Sequence, residues 1–193
     1  DAQLKYKSKT GRPAIGVDLK VVDEQGDPVA ADEQQVGEIW VKGDTITPGY
    51  WNQPEETASA FSNGWLHTGD LATLDSEGYV NIVDRKKDMV IAGGYNIYPV
   101  ELDNVLFDHP KILEACTIGI PHEYRGETVK AFIVVKEGQE LSEDDVIAYC
   151  KENLAAYKVP KIFEFIDELP KSAVGKILRR KLKEMEMDKA QNQ

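Results

Sequence analysis

The first half of the chain shows the pattern of β structure. Apolar and polar residues alternate over 17–22 and over 37–43, and a turn signal follows the first of these runs. Such alternation places the apolar side chains on one face of a strand. Residues 71–74 and 79–83 predict two more strands joined as a hairpin. Residues 54–61 predict a short helix, because a proline and two acids occupy its first turn.

The second half mixes helices with strands. Apolar residues recur at spacings of three and four over 99–106, which indicates an amphipathic helix. Ser142 and the acids that follow it predict the capped start of a helix that runs to Leu154. The other predicted elements are strands at 88–91, 113–120, 129–135 and 162–166, and a last helix at 177–187. The chain is therefore predicted to be α+β, with a β-rich piece before a mixed one.

Charge divides the chain at the same place. The 193 residues carry a formal net charge of -11. Residues 1–84 hold 6 basic and 15 acidic residues, a net charge of -9, whereas residues 85–193 hold 17 basic and 19 acidic residues, a net charge of -2. We therefore predict two domains with these bounds, joined by a charged link at 84–88. The acidic balance argues against nucleic acid as a partner, because surfaces that bind nucleic acid are basic.

Three features bear on location. No run of apolar residues approaches the length of a membrane span, and the polar first residues lack the apolar core of a signal peptide. The two cysteines, Cys116 and Cys150, both lie in patterned apolar stretches. Buried free thiols explain such positions better than a disulfide does. Together these features favour the cytoplasm.

Several motifs of nucleotide and metal chemistry are absent from the sequence. It contains no GxGxxG, no GxxxxGK[ST] phosphate loop and no GxSxG nucleophile elbow. His67, His109 and His122 are isolated and match no metal-ligand spacing. We assign these histidines no role as general base. If the chain takes part in ATP chemistry, we expect the main phosphate cradle in another segment.

One segment near the end concentrates positive charge. PKSAVGKILRRKL spans 170–182, and the window 171–183 contains six Lys or Arg residues and no acid. Lys176 follows the small residues of 172–175 and comes directly before the predicted last helix, so a flexible loop could carry its ammonium to an anion. The plain alternative is a solvated lysine at a helix start, where a cation opposes the helix dipole. The other basic residues of the segment predict a solvated helix face.

Four motifs follow one another along the chain. They are GYWNQPEETASAF, GWLHTGD, DRKKDMVIAGGYNIYPVE and PKSAVGKILRRKL. Together they resemble the C-terminal part of the adenylate-forming enzymes, which include acyl-CoA synthetases, nonribosomal-peptide adenylation domains and luciferases. With YRGETVKAF, the combination looks most like the fatty-acyl-CoA ligase branch. The resemblance covers essentially the whole chain. It implies a distorted-barrel β subdomain at 1–84 and a mobile domain at 85–193, whose mostly antiparallel sheet is flanked by helices.

The resemblance assigns Asp70 and Arg85 to the ribose of a bound nucleotide. A carboxylate offers several acceptor sites for hydroxyl groups, and a guanidinium presents a rigid fork of donors. Without the motifs, an Asp in a turn and a solvated linker arginine would be the plainer interpretations. Lys87 matches the hinge about which the C-terminal domain of these enzymes swings.

The resemblance also assigns a surface for a second substrate, CoA. Gly93 and Gly94 would line the tunnel for its pantetheine arm, since paired glycines permit close approach of the backbone. An ordinary tight turn is the plainer interpretation of this pair. Tyr157 and Lys161 match positions where relatives contact the CoA nucleotide, on a surface that varies within the family.

Lys176 is the predicted catalytic residue. In the resembled enzymes the matching lysine bridges the substrate carboxylate and the α-phosphate while an acyl-adenylate and pyrophosphate form. The CoA thiol then takes the acyl group, and AMP leaves. A fatty acid, ATP and CoA are the implied substrates. Mg²⁺ is the implied cofactor, with its ligands expected upstream of residue 1, so no metal ligand is assigned here.

The phosphate loop and the fatty-acid pocket are also expected upstream. We therefore expect the 193 residues alone to be inactive without a large N-terminal domain as partner. Three alternatives stay open. The acyl acceptor could be a carrier-protein thiol, or the chain could be a non-catalytic module that binds a nucleotide or a partner. The basic segment could also make a peripheral contact with an anionic membrane or with CoA phosphates.

Overall fold

The computed structural model describes residue 6 and residues 9–191. The chain separates into two compact units, Asp1–Lys87 and Asp88–Gln193. The contacts therefore divide at the charged link that the sequence singles out. Domain bounds at 84 and 85, and a hinge between the two domains, stay predictions.

The first unit is built on a five-stranded antiparallel sheet that curls into half a barrel. The strands run in the order β1-β2-β4, and both β3 and β5 also pair with β4. Alternating apolar residues from these strands form one core, which includes Val21, Ile39, Ala72 and Val80. The elements are β1 Val17–Val22, β2 Gly37–Gly43, α1 Pro54–Ala60, β3 Phe61–Ser62, β4 Trp65–Leu74 and β5 Val80–Arg85.

Strand β4 is longer than the sequence pattern predicts. It begins at Trp65, whereas alternation predicts a strand only from Leu71. The polar stretch before Leu71 is held extended because β3 and β2 supply hydrogen-bonding partners along it. As a result, Asp70 lies inside a strand and not at its end, directly opposite Arg85 of β5.

The second unit has a five-stranded sheet in which only β10 and β9 are parallel, among the strands described. The order is β10-β9-β6-β7, with β8 paired along the length of β9. The α+β class and the mostly antiparallel second sheet are confirmed. The elements are β6 Val90–Ala92, β7 Tyr95–Ile97, α2 Pro99–Phe107, β8 Ile112–His122, β9 Gly126–Val135, α3 Glu143–Asn153, β10 Ile162–Phe165 and α4 Arg179–Gln191.

Helices cover both faces of this second sheet. Successive residues of β9 point to opposite sides, so Ile133 joins one buried cluster and Phe132 joins another. Helices α2 and α3 pack on the first cluster, through residues such as Leu106 and Val146. Helix α4 packs on the second cluster through Leu182, which is fully buried.

Two local predictions for this unit are confirmed. Ser142 caps α3 in a capping box with Asp145, as the sequence indicates. Cys116 and Cys150 are buried free thiols, and burial raises their pKa values to about 12 and about 11. Among the residues with described coordinates, no helix is both long and apolar enough to cross a bilayer.

Candidate functional site

Asp70 and Arg85, which the sequence predicts to bind ribose, form an ion pair across β4 and β5. The Arg85 Nε lies 3.2 Å from the Asp70 Oδ1. The Asp70 side chain is 28% exposed and the Arg85 side chain is 59% exposed. The Asp70 N–H is fixed by Thr68, whose Oγ1 accepts it at 3.1 Å. Because the pair faces solvent on a fixed backbone, both side chains are accessible to a ligand.

A buried carboxylate that the sequence analysis missed supports this pair from behind. Glu38 on β2 is 8% exposed, and its Oε2 pairs with the Lys86 Nζ at 2.9 Å. Its Oε1 accepts the Gly69 N–H at 3.2 Å. Burial acts to raise the pKa of Glu38, but the Lys86 ammonium and the other hydrogen-bond donors around the carboxylate together hold this pKa below its usual value. Glu38 therefore stays ionised and fixes the residues next to both members of the pair.

An open depression lies beside these groups within the first unit. It is lined by Thr68, Gly69, Arg85, Lys86 and Lys87. Three of these residues are cationic, and the Asp70 carboxylate is within reach of Arg85. Such a surface can accept the hydroxyls and negative charge of a nucleotide. Lys87, the predicted hinge, lies in the turn that follows β5.

The glycine pair of the second unit forms the turn between β6 and β7. Gly93 and Gly94 have φ values of 61° and 83°, which side chains other than glycine rarely adopt. The Gly93 N–H donates to the Arg125 carbonyl at 2.9 Å, which fixes the turn to the start of β9. A Cβ built on Gly94 would meet no atom within 4 Å. The turn therefore offers bare backbone on a side that is open.

Two tyrosines extend the surface of this turn. Tyr95, which follows Gly94, stacks on Tyr157 with ring centroids 4.6 Å apart. The sequence predicted Tyr157 but missed Tyr95, although its position next to the glycines was a usable signal. Lys158 pairs with Glu101 at 2.6 Å, and Lys161 is an exposed residue just before β10. The structure thus brings Tyr157 to the glycine turn through Tyr95.

Lys176 lies in a closed turn and not at a helix start. An antiparallel bridge joins Lys171 to Ile177, and the Ser172 N–H donates to the Lys176 carbonyl at 2.8 Å. Gly175 has a φ of 80°, and the Lys176 N–H donates to the Ser172 Oγ at 3.1 Å. Helix α4 starts only at Arg179. The helix therefore begins two residues later than predicted, because the segment first closes on itself, and the flexibility of this segment stays a prediction.

The Lys176 side chain is exposed at this turn. No ion pair or hydrogen bond of its ammonium is formed with any residue that the structure describes. This arrangement leaves a point charge with three donors available to an anion.

The basic residues that follow Lys176 do not all belong to a solvated face, as the sequence had suggested. Arg180 is exposed and forms an ion pair with Glu184 one turn along α4. Arg179 is only 18% exposed and forms an ion pair with Asp103 of α2. The expectation fails for Arg179 because its side chain reaches Asp103 of α2 and the Thr117 carbonyl of β8.

Both halves of the chain match models of one enzyme family. Residues 1–51 match the model of the AMP-binding enzyme. Residues 101–176 match the AMP-binding enzyme C-terminal domain.

Two curated relatives carry the same name. A long-chain-fatty-acid–CoA ligase of Bacillus subtilis is 50% identical over 178 residues, which cover 92% of this chain and 32% of the relative. A long-chain-fatty-acid–CoA ligase of Escherichia coli O6:H1 is 44% identical over 187 residues, which cover 97% of this chain and 33% of the relative. The chain thus spans about a third of the length of these relatives.

Solved structures agree with these matches. The ATP-bound MatB of Rhodopseudomonas palustris superposes with a TM-score of 0.85 at 37% identity, over 92% of this chain and 35% of MatB. The o-succinylbenzoate CoA synthetase of Bacillus subtilis, in complex with its acyl-adenylate intermediate, gives a TM-score of 0.83 at 36% identity, over 94% of this chain and 36% of that one. The chain therefore belongs to the AMP-binding enzymes and carries the C-terminal domain of that family.

Proposed function

We propose that the protein carrying this chain joins a fatty acid to CoA, using ATP and releasing AMP and pyrophosphate. The observation that carries the proposal is the identity of 50% to a long-chain-fatty-acid–CoA ligase across nearly the whole chain. The exposed Lys176 and the solvent-facing Asp70–Arg85 pair support it, because both present accessible charged groups that could contact a nucleotide.

In the first step a carboxylate oxygen of the fatty acid attacks the α-phosphorus of ATP. The new P–O bond forms as the bond to the β-phosphate oxygen breaks, so pyrophosphate leaves with the electron pair. No general base is required, since a carboxylic acid is already ionised near pH 7. Lys176 would place its ammonium against the carboxylate and the α-phosphate, where negative charge gathers in the transition state.

Asp70 and Arg85 would hold the ribose during this step. Arg85 would exchange part of its contact with Asp70 for contact with the nucleotide, which is inexpensive because the pair is exposed. Glu38 would keep the backbone of both residues in place by holding Gly69 and Lys86.

In the second step the CoA sulfur attacks the acyl carbonyl carbon. The bond between that carbon and the phosphate oxygen breaks, AMP leaves, and the thiol proton goes to solvent. The turn at Gly93 and Gly94 would admit the narrow pantetheine arm, because it presents no side chain. The stacked Tyr95 and Tyr157, with the exposed Lys161, would contact the CoA nucleotide.

A change of backbone angles at Lys87 would let the second unit present Lys176 in the first step and the glycine turn in the second. One pocket could then serve two transition states of different charge. This hinge motion is part of the proposal.

Mg²⁺ would accompany ATP as its counterion. Within the described ranges, no three His, Cys, Asp or Glu side chains gather in a way that could hold a metal ion. The expectation from the resemblance, that its protein ligands lie outside this segment, stays a prediction. The cytoplasmic location and a peripheral contact with a membrane surface also stay predictions.

The test is fatty-acid-dependent AMP release by the longest natural form of the protein, with ATP and CoA present. We expect Lys176→Ala to lower the rate by two to three orders of magnitude, about 2.7–4 kcal/mol, the size expected for one preorganised donor. Lys181→Ala is the matched control, because Lys181 is an exposed lysine of the same basic segment. We expect it to change the rate by less than about twofold.

Each result would be decisive. Wild-type protein that releases no AMP in response to any fatty acid would overturn the proposed function. An unchanged rate for Lys176→Ala would show that this residue is an ordinary surface lysine. If the acyl group is transferred to a carrier-protein thiol but not to CoA, the proposed adenylation step stands and the proposed acceptor is wrong.

A further inference from the structure

We propose that Asp103 is a positioning residue for Lys176 and that it acts through Arg179. The inference rests on the proposed function, because it concerns the lysine assigned to the first step. It concerns a contact between α2 and the start of α4 that no motif of the sequence indicated.

The direction in which the Lys176 side chain points depends on the position of its backbone. The ammonium has no partner among the described residues, so no side-chain contact holds it in a fixed direction. The turn itself is closed, because the Leu178 N–H donates to the Pro170 carbonyl at 2.8 Å and Lys171 bridges Ile177. A closed turn moves as one piece, so its direction is set where it meets the rest of the unit.

Polar contacts attach the turn to β8 on both of its sides. Before the turn, the Lys171 Nζ pairs with the Glu114 Oε1 at 2.5 Å. After the turn, the Arg179 Nε donates to the Thr117 carbonyl at 3.1 Å, and its Nη2 pairs with the Asp103 carboxylate. Two donors of one planar guanidinium, engaged in two directions, fix its orientation more closely than a single ammonium contact can.

Asp103 holds this second anchor together. Its Oδ1 accepts the Thr117 N–H at 2.7 Å and the Thr117 hydroxyl at 2.8 Å, while its Oδ2 binds Arg179. One carboxylate therefore ties α2, β8 and the start of α4 together. The pair is largely buried, with side-chain exposures of 20% for Asp103 and 18% for Arg179, so water replaces it poorly.

The anchor lies close enough to Lys176 to matter for its placement. Arg179 follows Lys176 by three residues, and these residues leave the turn directly into α4. Displacement of a reacting group by about 1 Å can lower a rate by about a hundredfold. Loss of the Asp103 carboxylate would free one side of the Arg179 fork and let the turn tilt.

The experiment separates the two half-reactions in the longest natural form of the protein. The first is measured as acid-dependent ATP–pyrophosphate exchange, and the second as acyl transfer from added acyl-adenylate to CoA. We expect Asp103→Asn to lower the kcat of exchange roughly tenfold to a hundredfold. The acyl transfer should change by less than about twofold, since it does not use Lys176. The KM for ATP should also change by less than about twofold, because the ribose is assigned to Asp70 and Arg85 and the Lys176 contact is expected to matter most in the transition state.

A double-mutant cycle tests whether Asp103 acts through the lysine. In a Lys176→Ala background, we expect Asp103→Asn to have no further effect on exchange, because the group being positioned is gone. The matched control is Asp108→Asn, an exposed aspartate at the C-terminal end of the same helix, which should leave both half-reactions unchanged.

A second variant covers the case in which Asp103→Asn folds poorly. Arg179→Lys keeps a cation opposite Asp103 but loses the fork that also reaches Thr117, and it should lower exchange selectively as well. Folding of each variant is checked by far-UV circular dichroism at the assay temperature.

The outcomes distinguish the two proposals. Loss of exchange in Lys176→Ala together with normal exchange in Asp103→Asn and Arg179→Lys would overturn the inference alone. Equal losses in both half-reactions, or a further loss in the Lys176→Ala background, would show a general structural role and would also overturn it. Exchange that is absent from wild type would overturn the proposed function itself.

Discussion

Two aspartate–arginine pairs with the same chemistry differ in what surrounds them. Asp70 and Arg85 face each other on adjacent strands and keep 28% and 59% of their side chains exposed. Asp103 and Arg179 come from positions 76 residues apart and keep only 20% and 18% exposed. In water the first pair gains little from its attraction, whereas the second would leave a poorly solvated charge behind if one partner were lost.

The difference in burial suits the exposed pair to binding a ligand and the buried pair to holding the fold together. An exposed pair can change partners at small cost, which suits groups that would exchange one another for a nucleotide. A buried pair with further hydrogen bonds, as at Asp103, holds the elements that it connects. Burial and the number of additional partners, and not the identity of the pair, indicate which task a charge performs.

The largest expected effect on stability comes from breaking the buried pair. Asp103→Ala should lower the free energy of unfolding by about 3 kcal/mol, because it leaves the Arg179 charge and the Thr117 N–H without their acceptor. Urea unfolding of the 193-residue chain, followed by far-UV circular dichroism, measures this. A decrease in the free energy of unfolding below about 1 kcal/mol would show that the buried pair contributes no more to stability than the exposed pair does.

A smaller effect is expected at the buried carboxylate behind the exposed pair. Glu38→Gln should cost about 1–3 kcal/mol, since the amide cannot replace the charged partner of Lys86. Tryptophan fluorescence reports this change selectively, because Trp40, Trp51 and Trp65 all lie in the first unit. Lys86→Met, which removes the other partner, should also lower the free energy of unfolding. If neither variant shifts the fluorescence transition, Glu38 does not stabilise the residues next to the exposed pair.

The exposed pair should contribute least to stability. Asp70→Ala should change the free energy of unfolding by less than about 1 kcal/mol. In the longest natural form of the protein, the same variant should raise the KM for ATP roughly tenfold, the value of one charge-assisted hydrogen bond. A large loss of stability with an unchanged KM would reverse the comparison between the two pairs.

The pH dependence of stability adds a third pair to the comparison. The Lys9 ammonium, 2.5 Å from the Asp75 Oδ2, lowers the pKa of this buried carboxyl to about 2 from its ordinary 3.8. The native state therefore binds this proton less readily than the unfolded chain does. The stabilisation is complete above about pH 4 and is lost as the pH falls through about 2.

Asp103 shows the opposite direction. Burial raises its pKa to about 6, against the opposing effects of Arg179 and Thr117. Between about pH 4 and pH 6 the native state holds a proton that the unfolded chain has released, so this group's contribution to stability falls as the pH rises. The test is the urea midpoint of unfolding measured from pH 2 to pH 7. The midpoint of Asp75→Asn should fall less than that of the wild type as the pH decreases towards 2, and the midpoint of Asp103→Asn should fall less than that of the wild type between pH 4 and pH 6. If both variants show the same pH dependence as the wild type, both assignments are wrong.

The sequence by itself determined the local features of this protein. Alternation identified β1 and β2, and Ser142 with its following acids identified the start of α3, because each signal lies within one element. The order of the four motifs also pointed to the family, and to Asp70, Arg85 and Lys176 as candidate site residues. Their chemical roles stay predictions.

Only the tertiary structure decided which distant residues meet. Asp103 lies on the same face of α2 as the buried Pro99 and Leu106. Arg179 lies three residues before the buried Leu182 of α4. Both charged residues therefore occupy positions that face the core. That signal predicts burial but names no partner. The pairing depends on how α2, β8 and α4 pack, a long-range arrangement that no local pattern of hydrophobic residues encodes.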